Sequence, residues 1–504
     1  MDRRVNKNIF VGVSCRFLIL AMGIFLPRLV MLSFGSEANG LLNTITQIFT
    51  YVALLEAGIG NATLNALYEP LSSGDRNKTL QIMASSQSLF RKTTALYMLL
   101  VGLLTVMLPF IIRSELSKRT IALVTLLQGM SGASGYYLTA AYKQLLAADG
   151  RNYYSENAQL LTHVCSTAGK IVLIQLGANI VLLQILNFAV TMVGILFLRL
   201  IVKKQYPWLK TKGIPQTYKL KDRSAFVVHE LAATVFSCTD VVVISAMCGL
   251  AASSVYSVYN LVYSSLQMML TTVATGTMYL IGQAYHKGHV YFQKMYDVYD
   301  RLYIFLVFSV MIVAVVLTGP FVALYTAGIT DAHYQDQLLP FLFALVVVLS
   351  SCRQAASRAI AVAGHVKKTQ GRAILETAIN LTFSIAMVFV FGIRGALYGT
   401  IAALLYRTTD MIIYANHKIL KRSCKKSVFY IAAWFGLAAI EILALHRIAG
   451  TITSYWSFAC CGLAMLLVTL IVNAVVAGFI NWKDISWMIK QGRSTESTAI
   501  ANED

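Results

Sequence analysis

The chain has 504 residues, 57% of them apolar and 13% charged, with a mean hydropathy of +0.65. Soluble domains carry roughly 25% charged residues. The composition therefore points to a membrane protein and excludes both disorder and a disulfide-stapled secreted fold. The net charge is +20, from 42 Lys and Arg against 22 Asp and Glu. Because these cations sit between apolar runs, they read as loops beside anionic lipid rather than as a nucleic-acid surface.

A membrane-crossing helix needs ~20 mostly apolar residues. Fourteen such runs occur, at about 9–33, 41–66, 93–112, 120–147, 157–176, 179–202, 224–248, 252–283, 302–325, 338–364, 370–391, 395–416, 427–446 and 456–481. They are about twice as long as barrel strands and lack strand alternation, so the predicted fold class is an all-α polytopic membrane protein. The first run is too long for a signal-peptide core and ends in FGSEANG, not in a cleavage site, so it reads as a span. Of the eight cysteines, all but Cys424 lie in or beside apolar runs and none forms CxxC. They read as small core residues, not as disulfides or metal ligands.

Loop charge sets the orientation. With the N-terminus inside, the inner segments hold 32 Lys and Arg and the outer loops five, namely Arg113, Lys118, Arg119, Arg394 and Arg447. This split predicts cytoplasmic termini and no extramembrane domain.

The longest basic loop, 203–223, separates six spans from the next six. Glycines in the two halves align at an offset of 214 residues: Gly35 over Gly249 and Gly150 over Gly364, with Gly177 over Gly392 one residue off. Six spans is an even number, so the halves insert the same way up, in the parallel-repeat plan of alternating-access transporters. The expected organisation is an N-terminal lobe (1–202), a cytoplasmic linker (203–223), a C-terminal lobe (224–417), two further spans (418–481) and a cytoplasmic tail (482–504).

The stretch 27–71, PRLVMLSFGSEANGLLNTITQIFTYVALLEAGIGNATLNALYEPL, is similar to the first two spans of Wzx-type polysaccharide flippases. These form one branch of the multidrug/oligosaccharidyl-lipid/polysaccharide exporter (MOP) superfamily. The six-plus-six-plus-two arrangement resembles that family over about residues 5–480. The resemblance implies a MATE-like V of two six-helix lobes with two C-terminal helices added. It also implies export of an undecaprenyl-diphosphate-linked oligosaccharide across a bacterial inner membrane, for O-antigen or other polysaccharide synthesis. It transfers no site residues.

Ionisable residues at bilayer depth cost at least ~2.5–3.5 kcal/mol each on insertion scales, so they usually face a cavity or a partner. Arg16 and Glu230 differ by the repeat offset, on spans 1 and 7. Arg16 suits a diphosphate because its planar fork binds two oxygens at once, and Glu230 suits an ion-linked counter-charge. A pair that merely stabilises one state is equally consistent. Lys170 and Arg353 are further candidates for holding an anionic head, and Arg28 either joins them or snorkels outward. Glu56, between apolar residues in LLEAGIGNA, and Asp240, in CTDVVV, are candidate coupling carboxylates. Arg407 and Asp410 stand at i and i+3, where they can neutralise each other. Glu376 and Glu441 lie near span ends, within reach of the interface. Tyr256, Tyr259 and Tyr263 form a helical stripe that could stack on sugar rings, although Tyr is also common in helix packing.

The sequence shows no Walker loop, HExxH or GxSxG. No cofactor, metal or enzymatic chemistry is expected, and an ion or substrate gradient supplies the energy. The expected partners are the lipid-linked oligosaccharide, membrane lipid and the polymerase or glycosyltransferases that handle the same substrate. Two alternatives stand beside this reading: a drug/cation antiporter, which would favour an acidic or apolar cavity, and a lipid II flippase. A membrane glycosyltransferase would need larger outer loops.

Overall fold

The computed structural model describes residues 18, 22–211, 213–215, 218, 234, 238–276, 278–450 and 452–500. Among these, all regular structure is helical. Six elements open the chain: α1 (Met22–Phe34), α2 (Ser36–Ser73), α3 (Arg76–Ile111), α4 (Lys118–Ala148), α5 (Tyr153–Gln175) and α6 (Ile180–Gln205). Next come α7 (Cys238–Cys248), α8 (Leu250–Gly276), α9 (Met278–His286), α10 (His289–Tyr325), α11 (Leu339–Cys352) and α12 (Gln354–Val362). The chain continues with α13 (Gln370–Phe391), α14 (Ile393–Tyr414), α15 (Lys425–Ala449) and α16 (Tyr455–Ile500). The last helix runs on past residue 481, where the final span was expected to end.

The repeat is visible element by element. At the 214-residue offset α2 answers to α8 with α9, α3 to α10, α4 to α11 with α12, α5 to α13, and α6 to α14. The aligned glycines are the joints. Gly35 and Gly249 have φ of 83° and 92°, Gly150 and Gly364 have 69° and 71°, and Gly177 and Gly392 have 73° and 58°. A side chain disfavours that left-handed region, so glycine is the residue that lets the chain turn there. A fourth pair at the same offset, Gly74 and Gly288 (74° and 114°), is visible only once the dihedrals are known.

Seven of the described helical stretches, with α11 and α12 taken as one, are both long and apolar enough to cross a membrane. The other long helices carry polar residues that packing turns inward, such as Thr44 and Thr63 on α2, Thr125 on α4 and Thr400 on α14, all buried. The structure supports a polytopic fold of about 14 spans.

The chain packs as two units, Met1–Ser257 with Gly328–Ala332, and Val258–Ala327 with His333–Asp504. In the first unit, α2, α3 and α4 pack on one another, and α6 joins α4 and α5. Two apolar clusters hold it. One is built on Leu41, Ile45, Tyr97, Val101, Ile121 and Val124. The other is built on Ile59, Leu67, Ile82, Phe90, Leu145 and Leu198. A Cβ on Gly40 would fall 2.0 Å from the Leu250 carbonyl oxygen, so this glycine sets the approach of α2 to the start of α8. A polar row follows along α2. Asn39 Nδ2 donates to Ser254 Oγ (2.8 Å), and Asn43 Nδ2 donates to Ser257 Oγ (3.0 Å). Thr44 Oγ1 meets Ser245 Oγ (2.5 Å), and the Tyr51 hydroxyl meets Thr239 Oγ1 (2.7 Å).

In the second unit α10 is the central post, with α11, α15 and α16 packed on it. Asn473 of α16 donates to Ser309 (2.9 Å), and Trp434 of α15 stacks on Phe308. Helices α13 and α14 form a close hairpin, because Gly395 and Gly399 leave no side chain to hold apart the Met387 and Ser384 backbones. The span opposite α4 is broken at Arg353, which ends α11 and opens α12, whereas α4 passes its equivalent position, Thr139, without a break.

Candidate functional site

Within the first unit, a cavity of about 740 Å³ opens between α2, α4, α5 and α6. Three of its lining residues, Phe90, Ala158 and Leu198, belong to the second apolar cluster, so the cavity opens beside that cluster. Space is made by small residues on one face of α4, namely Ser131, Gly132, Gly135, Thr139 and Ala140. A Cβ on Gly135 would meet nothing within 4 Å.

Glu56 forms part of the wall and is 4% exposed. Among the described residues neither of its carboxylate oxygens has a hydrogen-bond partner. Thr94, Tyr97 and Tyr136 stand around it, but the Thr94 hydroxyl donates to the Phe90 carbonyl (2.7 Å). On α5 and α6, Lys170 Nζ donates to Asn187 Oδ1 (2.9 Å), which also accepts from Ser166 Oγ (2.8 Å). Lys143, Gln144, Gln159 and His163 complete the polar lining. The cavity therefore holds a carboxylate together with amines and amides, groups able to exchange a proton. Among the described residues no group of three His, Cys, Asp or Glu is placed to hold a metal ion.

Of the residues singled out by sequence, Glu56 lines this cavity, and Lys170 reaches it through Asn187. Arg16 and Glu230 lie outside the described residues. Arg28 is half-buried on α1. Asp240 is buried and accepts from the Tyr256 hydroxyl (3.1 Å). The tyrosine stripe is closed in helix packing. Tyr259 and Tyr263 stack on Phe343, and their hydroxyls meet the Tyr334 carbonyl (2.8 Å) and Thr318 Oγ1 (3.1 Å).

Arg353 belongs to the second unit, where it is ion-paired with Glu376. Glu376 lies 3.4 Å from Arg407, Arg407 pairs with Asp410 at 2.9 Å, and Asp410 pairs with Arg372. The i, i+3 neutralisation of Arg407 by Asp410 is thus present. The expectation that Glu376 reaches the interface is corrected: the residue is 8% exposed, because two arginines hold its carboxylate inside.

Lys143 and Asn187 were missed by sequence reasoning. Lys143 counts among the inner-segment cations although it lies within the run 120–147, and it continues the small-residue face of α4 that begins at Ser131. That spacing was the available signal.

The fold is similar to those of solved flippase and multidrug transporter structures. A solved lipid II flippase MurJ, in an inward closed conformation, matches with a TM-score of 0.67 at 13% identity, covering 95% of this chain and 100% of its own. An inward-facing multidrug resistance MATE transporter of the MOP superfamily matches with a TM-score of 0.58 at 14% identity, covering 80% of this chain and 95% of its own. An outward-facing MATE transporter matches at 0.51 and 16% identity, covering 83% and 95%. No protein-family model and no curated protein sequence matches the chain.

Proposed function

We propose that this chain is a secondary transporter that moves an undecaprenyl-diphosphate-linked oligosaccharide across a bacterial inner membrane by alternating access, coupled to a cation through Glu56. Glu56 is the observation that carries the reading. A buried carboxylate with no donor is stable only when it holds a proton or a cation, and here it borders a polar cavity with room for either. Arg16 remains the first candidate for the diphosphate, with Lys170 as its helper. The lipid substrate is favoured over a soluble one because the lipid II flippase structure is matched end to end, whereas the MATE structures leave more of this chain uncovered. The same match makes lipid II a second candidate cargo. The polysaccharide polymerase and glycosyltransferases are the proposed partners, and both termini are placed in the cytoplasm on loop charge.

The test is a reconstituted flipping assay. Liposomes carry the protein and a fluorescent undecaprenyl-diphosphate oligosaccharide, and a proton or sodium gradient is imposed. The wild type accelerates translocation and responds to one gradient; Glu56→Gln translocates without that response. A gradient response unchanged in Glu56→Gln overturns the coupling role. Transport of a cationic dye with no lipid translocation favours the drug/cation antiporter reading, for which an acid in the cavity wall also speaks.

A further inference from the structure

The second unit has a cavity of about 440 Å³ at the end that carries its basic loops. His289, His365, Lys418 and Lys421 line it, with Ala363 beside them and no carboxylate among the described lining residues. Lys368 Nζ adds to this set, 3.1 Å from His365 Nε2. A neighbouring acid, Asp297, is bound on both oxygens by Arg422. The cavity also receives the first turn of α10, whose N-terminus has no side-chain cap and no acidic residue in that turn.

Basic loops alone say little, since all inner loops of such a protein are basic. The repeat supplies an internal control, because the first unit has the same joint on the same predicted side. There Asp75 caps α3 by accepting from Lys78 N (2.9 Å). Asp149 pairs with Arg151 (2.9 Å) and accepts from the Tyr206 hydroxyl (2.5 Å), while Glu69 pairs with Lys78 (2.7 Å). Glu69 and Asp149 line the corresponding hollow. At the repeat offset these three acids become Gln283, His289 and Ala363. Every carboxylate of the first joint is thus replaced in the second, and two of the replacements line its cavity. Lys421 also holds a φ of 48°, a region that side chains disfavour, and it is the one non-glycine residue there among those described.

We propose that this cavity binds a phosphate-bearing anion, either the head of an anionic lipid or a free phosphate. The ammonium groups and the His289 ring supply charge-assisted hydrogen bonds, and the start of α10 adds the partial positive charge of a helix N-terminus. The inner leaflet is where anionic heads are most concentrated.

The test uses the full-length protein in two arms. In a detergent with a neutral head, calorimetry follows titration with inorganic pyrophosphate. In phosphatidylcholine nanodiscs with increasing phosphatidylglycerol, native mass spectrometry counts retained anionic lipid. Saturable, salt-sensitive binding is expected in at least one arm, and which arm responds assigns the source. Ala363→Asp and His289→Asp, which restore the acids of the first unit, weaken it by about tenfold or more, about 1.4 kcal/mol. Lys421→Gly guards against simple misfolding, because it relieves the backbone and raises the unfolding temperature while still lowering binding. No saturable binding in either arm, or equal binding in wild type and Ala363→Asp, overturns the proposal.

Discussion

Arg407 and Asp410 lie one turn apart on α14 and pair at 2.9 Å, with Arg407 Nη1 on Asp410 Oδ2. The pair is the centre of an alternating run: Arg353, Glu376, Arg407, Asp410, Arg372. Each carboxylate is shared by two guanidiniums, so the members stand or fall together. Such a run contributes little net stability beside an apolar replacement, but it is costly to interrupt, because a lost partner leaves a buried charge uncompensated.

Glu376→Gln therefore destabilises the second unit by ~3–5 kcal/mol, since it leaves both Arg353 and Arg407 short of a counter-charge. Thermal unfolding in detergent reads this as a clear fall in the transition temperature. Adding Arg353→Met to Glu376→Gln recovers part of the loss. Full stability of Glu376→Gln alone would show that the ladder carries no such dependence.

Glu56→Gln behaves in the opposite way. Among the described residues Glu56 has no donor to lose, and an amide avoids the cost of a desolvated charge. The variant unfolds at the wild-type temperature or above it while losing its gradient response in transport. A drop of several degrees would mean that the carboxylate is structurally partnered.

Two glycines make a matched pair of tests. Gly40→Ala drives a methyl against the Leu250 backbone and costs ~1–3 kcal/mol. Gly135→Ala meets open space and gains up to ~1 kcal/mol from helix propensity. Comparing the two unfolding curves separates backbone contact from cavity lining. Gly135→Leu, which fills the cavity, folds but blocks transport.

Lys170→Met leaves the Ser166–Asn187 hydrogen bond in place and removes the one cation bonded to Asn187 in the described hydrogen bonds. A change within about 1 kcal/mol in stability is expected, together with weaker binding of a diphosphate lipid in a retention assay. Unchanged retention would separate Lys170 from the substrate path.

The sequence by itself determined the helical class, the approximate number of spans, the loop-charge asymmetry and the repeat. These are local properties: twenty apolar residues form a helix in lipid whatever their neighbours, and a glycine that must turn left-handed is marked by its identity. The three aligned glycine pairs could therefore be read from spacing alone, and the dihedrals agree. Glu56 was also legible, as an acid set among apolar residues. Only the tertiary structure decided where each embedded charge finds its partner. Whether Arg353 meets a cavity or Glu376 depends on how α11, α13 and α14 rotate about their axes, which span hydropathy does not encode. The same holds for the tyrosine stripe, whose spacing suits a sugar-stacking face and a packed seam equally until Phe343 is seen lying across it.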